Sequence, residues 1–248
     1  MAKLVWDASS QRLYETGISN GVIYPMLSDG SYGNGAVWNG LTAVNHSPSG
    51  GEFNSAMADN RKYLNLPSRE EFQATLEAYA YPDEFADCIG QRSLLPGLNI
   101  SGQKRKKFGL CYRTIVGNDT RFSDYGYKLH IIYGIMADPS ERQYKTVNDS
   151  PEVVTYSWNL TATPISLEGF RPIDHLELIS YKIGAARLQA LEDILYGDDH
   201  HAPRLPLPDE LATFHVYDPI TDRNGDPITT RAYDNITTRV AVDALGHT

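Results

Sequence analysis

Cysteine is scarce: Cys88 and Cys111 are the only two in 248 residues. Two thiols build no disulfide framework and sit at no metal-ligand spacing, so both read as reduced, buried residues. Long apolar runs are missing as well. No stretch approaches the roughly 20 consecutive apolar residues of a membrane-spanning helix, and Met1–Ser10 holds no apolar core of a secretory signal. The Asn-x-Ser/Thr triplets at Asn45, Asn99, Asn118, Asn148, Asn159 and Asn235 therefore read as turn and strand chemistry. Positive charge is in deficit, with 22 Lys and Arg against 31 Asp and Glu, a formal net charge of −9. Such a surface does not grip nucleic acid, because tight binding needs cations that displace phosphate counterions. It suits a surface past which DNA slides.

Catalytic signatures are absent too. There is no Gly-x-Ser-x-Gly elbow, no Walker loop and no dinucleotide glycine fingerprint. The run Asp29-Gly-Ser-Tyr-Gly-Asn-Gly35 lacks the preceding strand and following helix of a phosphate cradle, and reads as a loop. Asp198-Asp-His-His201 is the best metal candidate, but adjacent residues diverge and further ligands would have to come from elsewhere; a solvated loop is the simpler reading. The pairs Glu70–Glu71 and Asp83–Glu84 could serve a glycosidase only at a separation that sequence does not set. The basic run Lys104-Arg-Lys-Lys107 reads as a solvated turn or an ion pair with an acidic neighbouring subunit, ahead of DNA contact. The expectation is a protein that is not an enzyme and uses neither cofactor nor metal.

What is present is mainly β pattern. From Val153 to Ala162, Val154, Tyr156, Trp158, Leu160 and Ala162 alternate with polar or β-branched residues, the period of a half-buried strand. Lys107–Val116 and Tyr127–Met136 read as two arms of a hairpin with a long connection, and His175–Ile183 alternates again. Ser68–Tyr81 carries both patterns. Ser68 with Glu71 fits a helix capping box, while Phe72, Ala74, Leu76 and Ala78 alternate, and Thr75 and the Tyr-Ala-Tyr-Pro ending favour a strand. One helix is clear: Ala185–Tyr196 puts Leu188, Leu191 and Leu195 on one face and ends at Gly197. Ser28–Leu66, rich in Gly, Asn and Ser, reads as a long loop, yet carries Tyr32, Trp38, Phe53, Met57 and Tyr63. Long loops of this kind commonly mean function, and the aromatics suggest ordering against a neighbour.

Many blocks are familiar together. They include Arg12–Pro25, Trp38–Asn45, Ser47–Gly50, Ala58–Asn60, Lys62–Leu66, Glu70–Tyr79 and Tyr81–Phe85. Phe108–Ile115, Gly117–Thr120, Gly126–His130, Asn148–Pro151, Leu191–Gly197 and Arg204–Glu210 follow in the same order. In them the chain resembles the major tail (tail tube) proteins of siphovirus bacteriophages and prophages of Gram-positive bacteria. Asp198–Pro203 departs by its length, and the segment after Phe214 runs beyond the family core. The resemblance implies a β-sandwich of two packed sheets over residues 1–214, with a flanking α-helix and a long inter-ring loop at about 28–66. Residues 215–248 become a C-terminal extension or arm. It further implies hexameric rings whose inner sheets join in a continuous β-barrel, stacked into the conduit for DNA. The partners implied are the tape measure protein, a tail terminator and distal tail or baseplate proteins. The place implied is the virion tail, assembled in the host cytoplasm. Tyr32, Trp38, Phe53 and Tyr63 become candidate inter-subunit contacts. The rival reading is a β-sandwich that binds carbohydrate at a cell surface through its 16 Tyr and 3 Trp.

Overall fold

The structure is a computed structural model that describes residues 4–144, 146, 153–212, 217–219 and 237–239. In chain order it forms β1 (Leu13–Pro25), β2 (Ala36–Trp38), β3 (Leu41–His46), β4 (Phe53–Ala58), β5 (Arg61–Pro67) and β6 (Gln73–Ala78). After two short 3-10 turns come β7 (Arg92–Leu95), β8 (Leu98–Ile100), β9 (Phe108–Asn118), β10 (Phe122–Ala137), β11 (Tyr156–Ala162) and β12 (His175–Ile179). Helices α1 (Ala185–Tyr196) and α2 (Pro208–Ala212) follow, then the short strands β13 (Tyr217–Pro219) and β14 (Thr237–Arg239), which pair with each other. The rest of the expected C-terminal extension, 215–248, lies outside the described residues.

The protein is mainly β, as the alternation predicts. One eight-stranded sheet runs β2-β1-β9-β10-β11-β6-β3, with β12 also on β10. The two expected sheets are thus two layers of a single sheet. The physical reason is β10, whose 16 residues serve both layers. Lys128–Ile132 pairs with β12 in one layer, and Ile135–Ala137 pairs with β11 in the other. Between these stretches lies Gly134 at φ +60°, where a bulge shifts the register against β9. Among the described residues the sheet is open, with edges at β2, β3 and β12.

Alternation assigns each face. Ile23, Phe108, Leu110, Tyr112, Ile132 and Ile135 point between the layers and meet Phe72, Ala74, Leu76, Ala78, Trp158 and Leu160 from the opposite layer. Val22, Tyr24, Cys111, Leu129, Ile131 and Tyr133 point outward and are covered by Leu191 and Leu195 of α1. A 12-residue helix is marginal alone. Here the Tyr24 hydroxyl, which donates to the Leu195 carbonyl at 2.6 Å, and the Arg113–Glu192 ion pair at 2.5 Å hold it to the sheet. Ser68–Tyr81 resolves as strand, since Phe72, Ala74, Leu76 and Ala78 all enter the core.

Two readings need correction. Ser28–Leu66 is not a loop but carries β2 to β5. Its glycines lie between the strands, and Asp59 and Asn60, both at positive φ, form the turn between β4 and β5. That is the geometry of a two-residue type I′ hairpin turn, tight enough to hide strands within a turn-rich sequence. The β9–β10 hairpin likewise has no long connection. Both strands run on to Asn118 and Phe122, and a bulge between Phe122 and Gly126 absorbs the extra residues. The Asn118 side chain fixes the turn by accepting from the Thr120 and Arg121 amides.

Candidate assembly surface

β3 and β6 pair in register up to His46 and Ala74. The pairing continues beyond the body through the Ser49–Glu71 bridge and the Ser68 amide, which donates to the Glu52 carbonyl. It then passes into the β4–β5 ladder, from Phe53 opposite Pro67 to Ala58 opposite Arg61. The result is one antiparallel ribbon that leaves the sandwich at His46 and turns at Asp59–Asn60. At about 3.3 Å per residue its outer half reaches roughly 20 Å. Every residue of β5, and all of β4 but Ala58, is exposed. Yet the ribbon carries Phe53, Met57, Tyr63, Leu64 and Leu66. Two-stranded ribbons are marginal alone in water, and the exposed apolar side chains on both strands make this ribbon the candidate assembly surface.

Of the four candidate contacts, the structure brings two together here. Phe53 is 65% exposed and Tyr63 64% exposed, both on the ribbon. Trp38 is not on the surface: it is 2% exposed, packs on Phe85 and Trp158, and donates its indole N–H to the Ala80 carbonyl. Tyr32 is half-buried beside Tyr133, and its hydroxyl accepts the Gly134 amide at 2.9 Å. Both aromatics serve the fold of their own chain. Sequence could not separate the two classes, since all four lie among the same Gly and Asn residues.

A second exposed hairpin escaped the sequence reading. β7 and β8 turn at Pro96–Gly97 and expose Leu94, Leu95 and Leu98. The Leu-Leu-Pro-Gly-Leu pattern around a turn dipeptide was the available signal. The basic run lies close by, and three of its four side chains find partners in their own chain. Lys106 pairs with Asp87 at 2.5 Å, Arg105 donates to the Ala137 carbonyl, and Lys107 donates to the Thr163 hydroxyl at 2.9 Å. The expected inter-subunit ion pair therefore has an intramolecular counterpart.

Chemistry-bearing groups resolve as follows. Asp198 accepts from the His200 and His201 amides and faces the His201 ring, a local turn after α1. Among the described residues no group of three or more His, Cys, Asp or Glu is placed to hold a metal ion. Cys88 and Cys111 are both free and buried, and burial pushes each thiol up to about 12. Trp38 and Trp158 are buried, which takes them out of any sugar-stacking platform. No helix among the described residues is long and apolar enough to cross a membrane.

One constellation has no counterpart in the sequence reading. On the inner face, Tyr112 of β9 stacks on His130 of β10, centroids 4.8 Å apart, and His130 stacks on His175 of β12 at 5.4 Å. His46, at the root of the ribbon, meets this stack edge-on and its Nε2 lies 2.6 Å from the Tyr112 hydroxyl. These histidines are 45 and more residues apart, so only the register of the strands joins them.

No protein-family model matches the chain, and no curated protein matches it. Two solved structures come from an extracellular contractile injection system. The PVC sheath/tube terminator in the extended state shares 8% identity at a TM-score of 0.32, over 70% of this chain and 99% of that one. A chain of the PVC sheath–tube complex in the extended state shares 9% identity at a TM-score of 0.26, over 64% and 88% respectively. Overlap this slight carries no inference about fold or function.

Proposed function

We propose that the chain is a structural subunit of a phage-type tail tube, without catalytic activity, that stacks in hexameric rings around a lumen for DNA. The observation that carries this reading is the ribbon of β4 and β5, whose Phe53, Met57, Tyr63, Leu64 and Leu66 are exposed, without cover from the other described residues. Contact between stacked rings is the role that gives such a ribbon a partner. The open sheet edges at β2 and β3 support it too, because a ring satisfies unpaired strand edges by closure. The collinear sequence blocks that resemble tail tube proteins give the assembly its type. An acidic subunit of net charge −9 suits a conduit that DNA passes without adhering. In this reading the tape measure protein, a terminator and distal tail or baseplate proteins are the partners, the virion tail is the destination, and assembly occurs in the host cytoplasm.

Negative-stain electron microscopy of the full chain at high concentration tests the reading. Rings or tubes of uniform width are the expected result. A chain that stays monomeric at every concentration, and also with distal tail proteins added, overturns it.

A further inference from the structure

The ribbon leaves the sandwich at a place where both layers contribute rings. From one layer come Tyr112, His130 and His175, stacked in a row across three strands. From the other come His46 and Phe72, the two residues that flank the ribbon's exit. Their rings meet edge-on at 5.0 Å, and His46 stands 4.9 Å from His175. The contact between the stacked imidazoles requires that at least one of them be neutral. His130 Nδ1 and His175 Nε2 are 3.2 Å apart, so one must carry a proton and the other a lone pair. His130 Nε2 is engaged by the Thr114 hydroxyl at 3.0 Å.

We propose that His46, Tyr112, His130 and His175 form an acid-sensitive clamp that holds the ribbon's root on the sandwich and lets it go when the histidines are protonated. Two imidazolium rings cannot share the His130–His175 hydrogen bond, and parallel stacking sets like charges against each other. A third charge on His46 then drives the root away from the stack.

The surroundings favour the neutral form at neutral pH. Burial, followed by the neighbouring histidines, pushes His175 down to about 4. Burial likewise lowers His130, and desolvation by the surrounding rings lowers His46 although it stands exposed at the end of β3, against an opposite pull from Glu177 on both and from Glu15 on His130. The charged groups that face the cluster are accounted for. Glu15 of β1 and Glu177 of β12 bracket Lys128 of β10 at 2.8 and 3.2 Å, so the lysine balances one of their two charges and one negative charge remains beside the histidines. Glu15 Oε1 is 3.6 Å from His130 Nε2 and offers a protonated His130 a partner other than His175. Arg69, Glu70, Arg171 and Asp174 line a cleft of about 820 Å³ that opens onto His46 and His175. A second cleft, of about 540 Å³, reaches His46, Tyr112 and His130 from the Glu15 side. Protons therefore have a way in from both sides without unfolding.

The clamp belongs to the single chain; that its release changes assembly rests on the tail-tube reading above. Hydrogen exchange of the full chain between pH 7 and pH 4.5, corrected for intrinsic rates, separates the two. Residues 44–50 and 68–74 are expected to lose protection at least tenfold relative to β9, as one unit of displaced pKa is worth tenfold. His175→Gln is expected to blunt that loss. Equal loss in β9 and at the root, or no loss, overturns the clamp, as does an undiminished response in His175→Gln. Nuclear magnetic resonance titration of the wild-type histidine rings decides independently of any variant. Ring protonation that coincides with root opening is expected, and three ordinary titrations near 6.5 overturn the clamp. Tubes formed at pH 7 are expected to come apart at pH 4.5; tubes that persist while the root opens overturn the link to assembly. Absence of tubes at every pH counts against the tail-tube reading and leaves exchange to decide the clamp.

Discussion

His46 at the end of β3 and His175 at the start of β12 meet edge-to-face across the seam of the sandwich, ring centroids 4.9 Å apart. The contact ties the edge strand of one layer to the edge strand of the other, and it has a thermodynamic signature. His175 has a folded-state pKa of about 4, below the ordinary 6.5 of an unfolded chain. Below pH 6.5 the unfolded chain binds a proton that the folded chain refuses. Stability is therefore complete above pH 6.5 and falls as the pH drops toward 4, by at most about 3 kcal/mol for this group. Urea unfolding followed by circular dichroism at pH 7.5, 5.5 and 4.5 checks this. The midpoint should fall with pH, and less steeply in His175→Gln. A midpoint that does not move across this range contradicts the account.

How far the sequence reveals this molecule depends on the range of the interactions. Strands with one buried face are legible, because the alternation of Tyr156, Trp158 and Leu160 is itself the pattern of burial. Helix α1 is legible for the same reason, through Leu191 and Leu195. The strands within Ser28–Leu66 are hidden, because β4 and β5 bury neither face and so show no alternation to read. The distinction between Trp38 in the core and Phe53 on the ribbon is equally hidden, for it depends on which strand reaches the sandwich. The histidine stack is the extreme case. His46, His130 and His175 meet only after β10 has paired with β12 and the sheet has folded over, and none of them carries a local motif.

Gly134 marks the passage of β10 from one layer to the other, and its conformation is obligatory. It sits at φ +60°, and a Cβ there would lie 2.4 Å from the Thr163 carbonyl oxygen, a backbone atom. Gly134→Ala combines a left-handed alanine with a clash that cannot be relieved by side-chain rotation. We expect a loss of about 2–4 kcal/mol, read as a lower denaturant midpoint. Gly30, also at positive φ but with nothing within 4 Å of the added carbon, is the control. Gly30→Ala should cost only about 1 kcal/mol. Equal effects at the two sites would contradict the role given to Gly134.

The cysteines offer a test of packing that needs no variant. Cys88 and Cys111 are buried, on opposite sides of the sheet, with thiols held at about 12. The thiolate is the reactive form. A maleimide or disulfide reagent at pH 8 should therefore find no thiol in the folded chain and two in denaturant. Rapid labelling of the native chain would show that one of the two cores is open.

The ribbon allows stability and assembly to be separated. Phe53 and Tyr63 stand exposed on β4 and β5, and Phe53 lies opposite Pro67 in the ladder rather than against the core. Surface substitutions away from packed or strained sites usually change stability by no more than about 0.5 kcal/mol. The double variant Phe53→Ser, Tyr63→Ser should therefore keep the wild-type unfolding midpoint. Core truncation behaves differently: Trp158→Ala, made where the indole packs on Trp38 and Phe85, should cost about 3–5 kcal/mol. Assembly should show the reverse sensitivity. Removing two aromatic anchors from an interface commonly costs several kcal/mol of association, so the concentration needed for rings or tubes should rise by two orders of magnitude or more (about 1.4 kcal/mol per tenfold). Sedimentation velocity across a concentration series reads the assembly, and circular dichroism reads the fold. If the double variant assembles like the wild type, the ribbon is not the contact. If it unfolds instead, its aromatics belong to the fold and the separation of surface from core fails at this site.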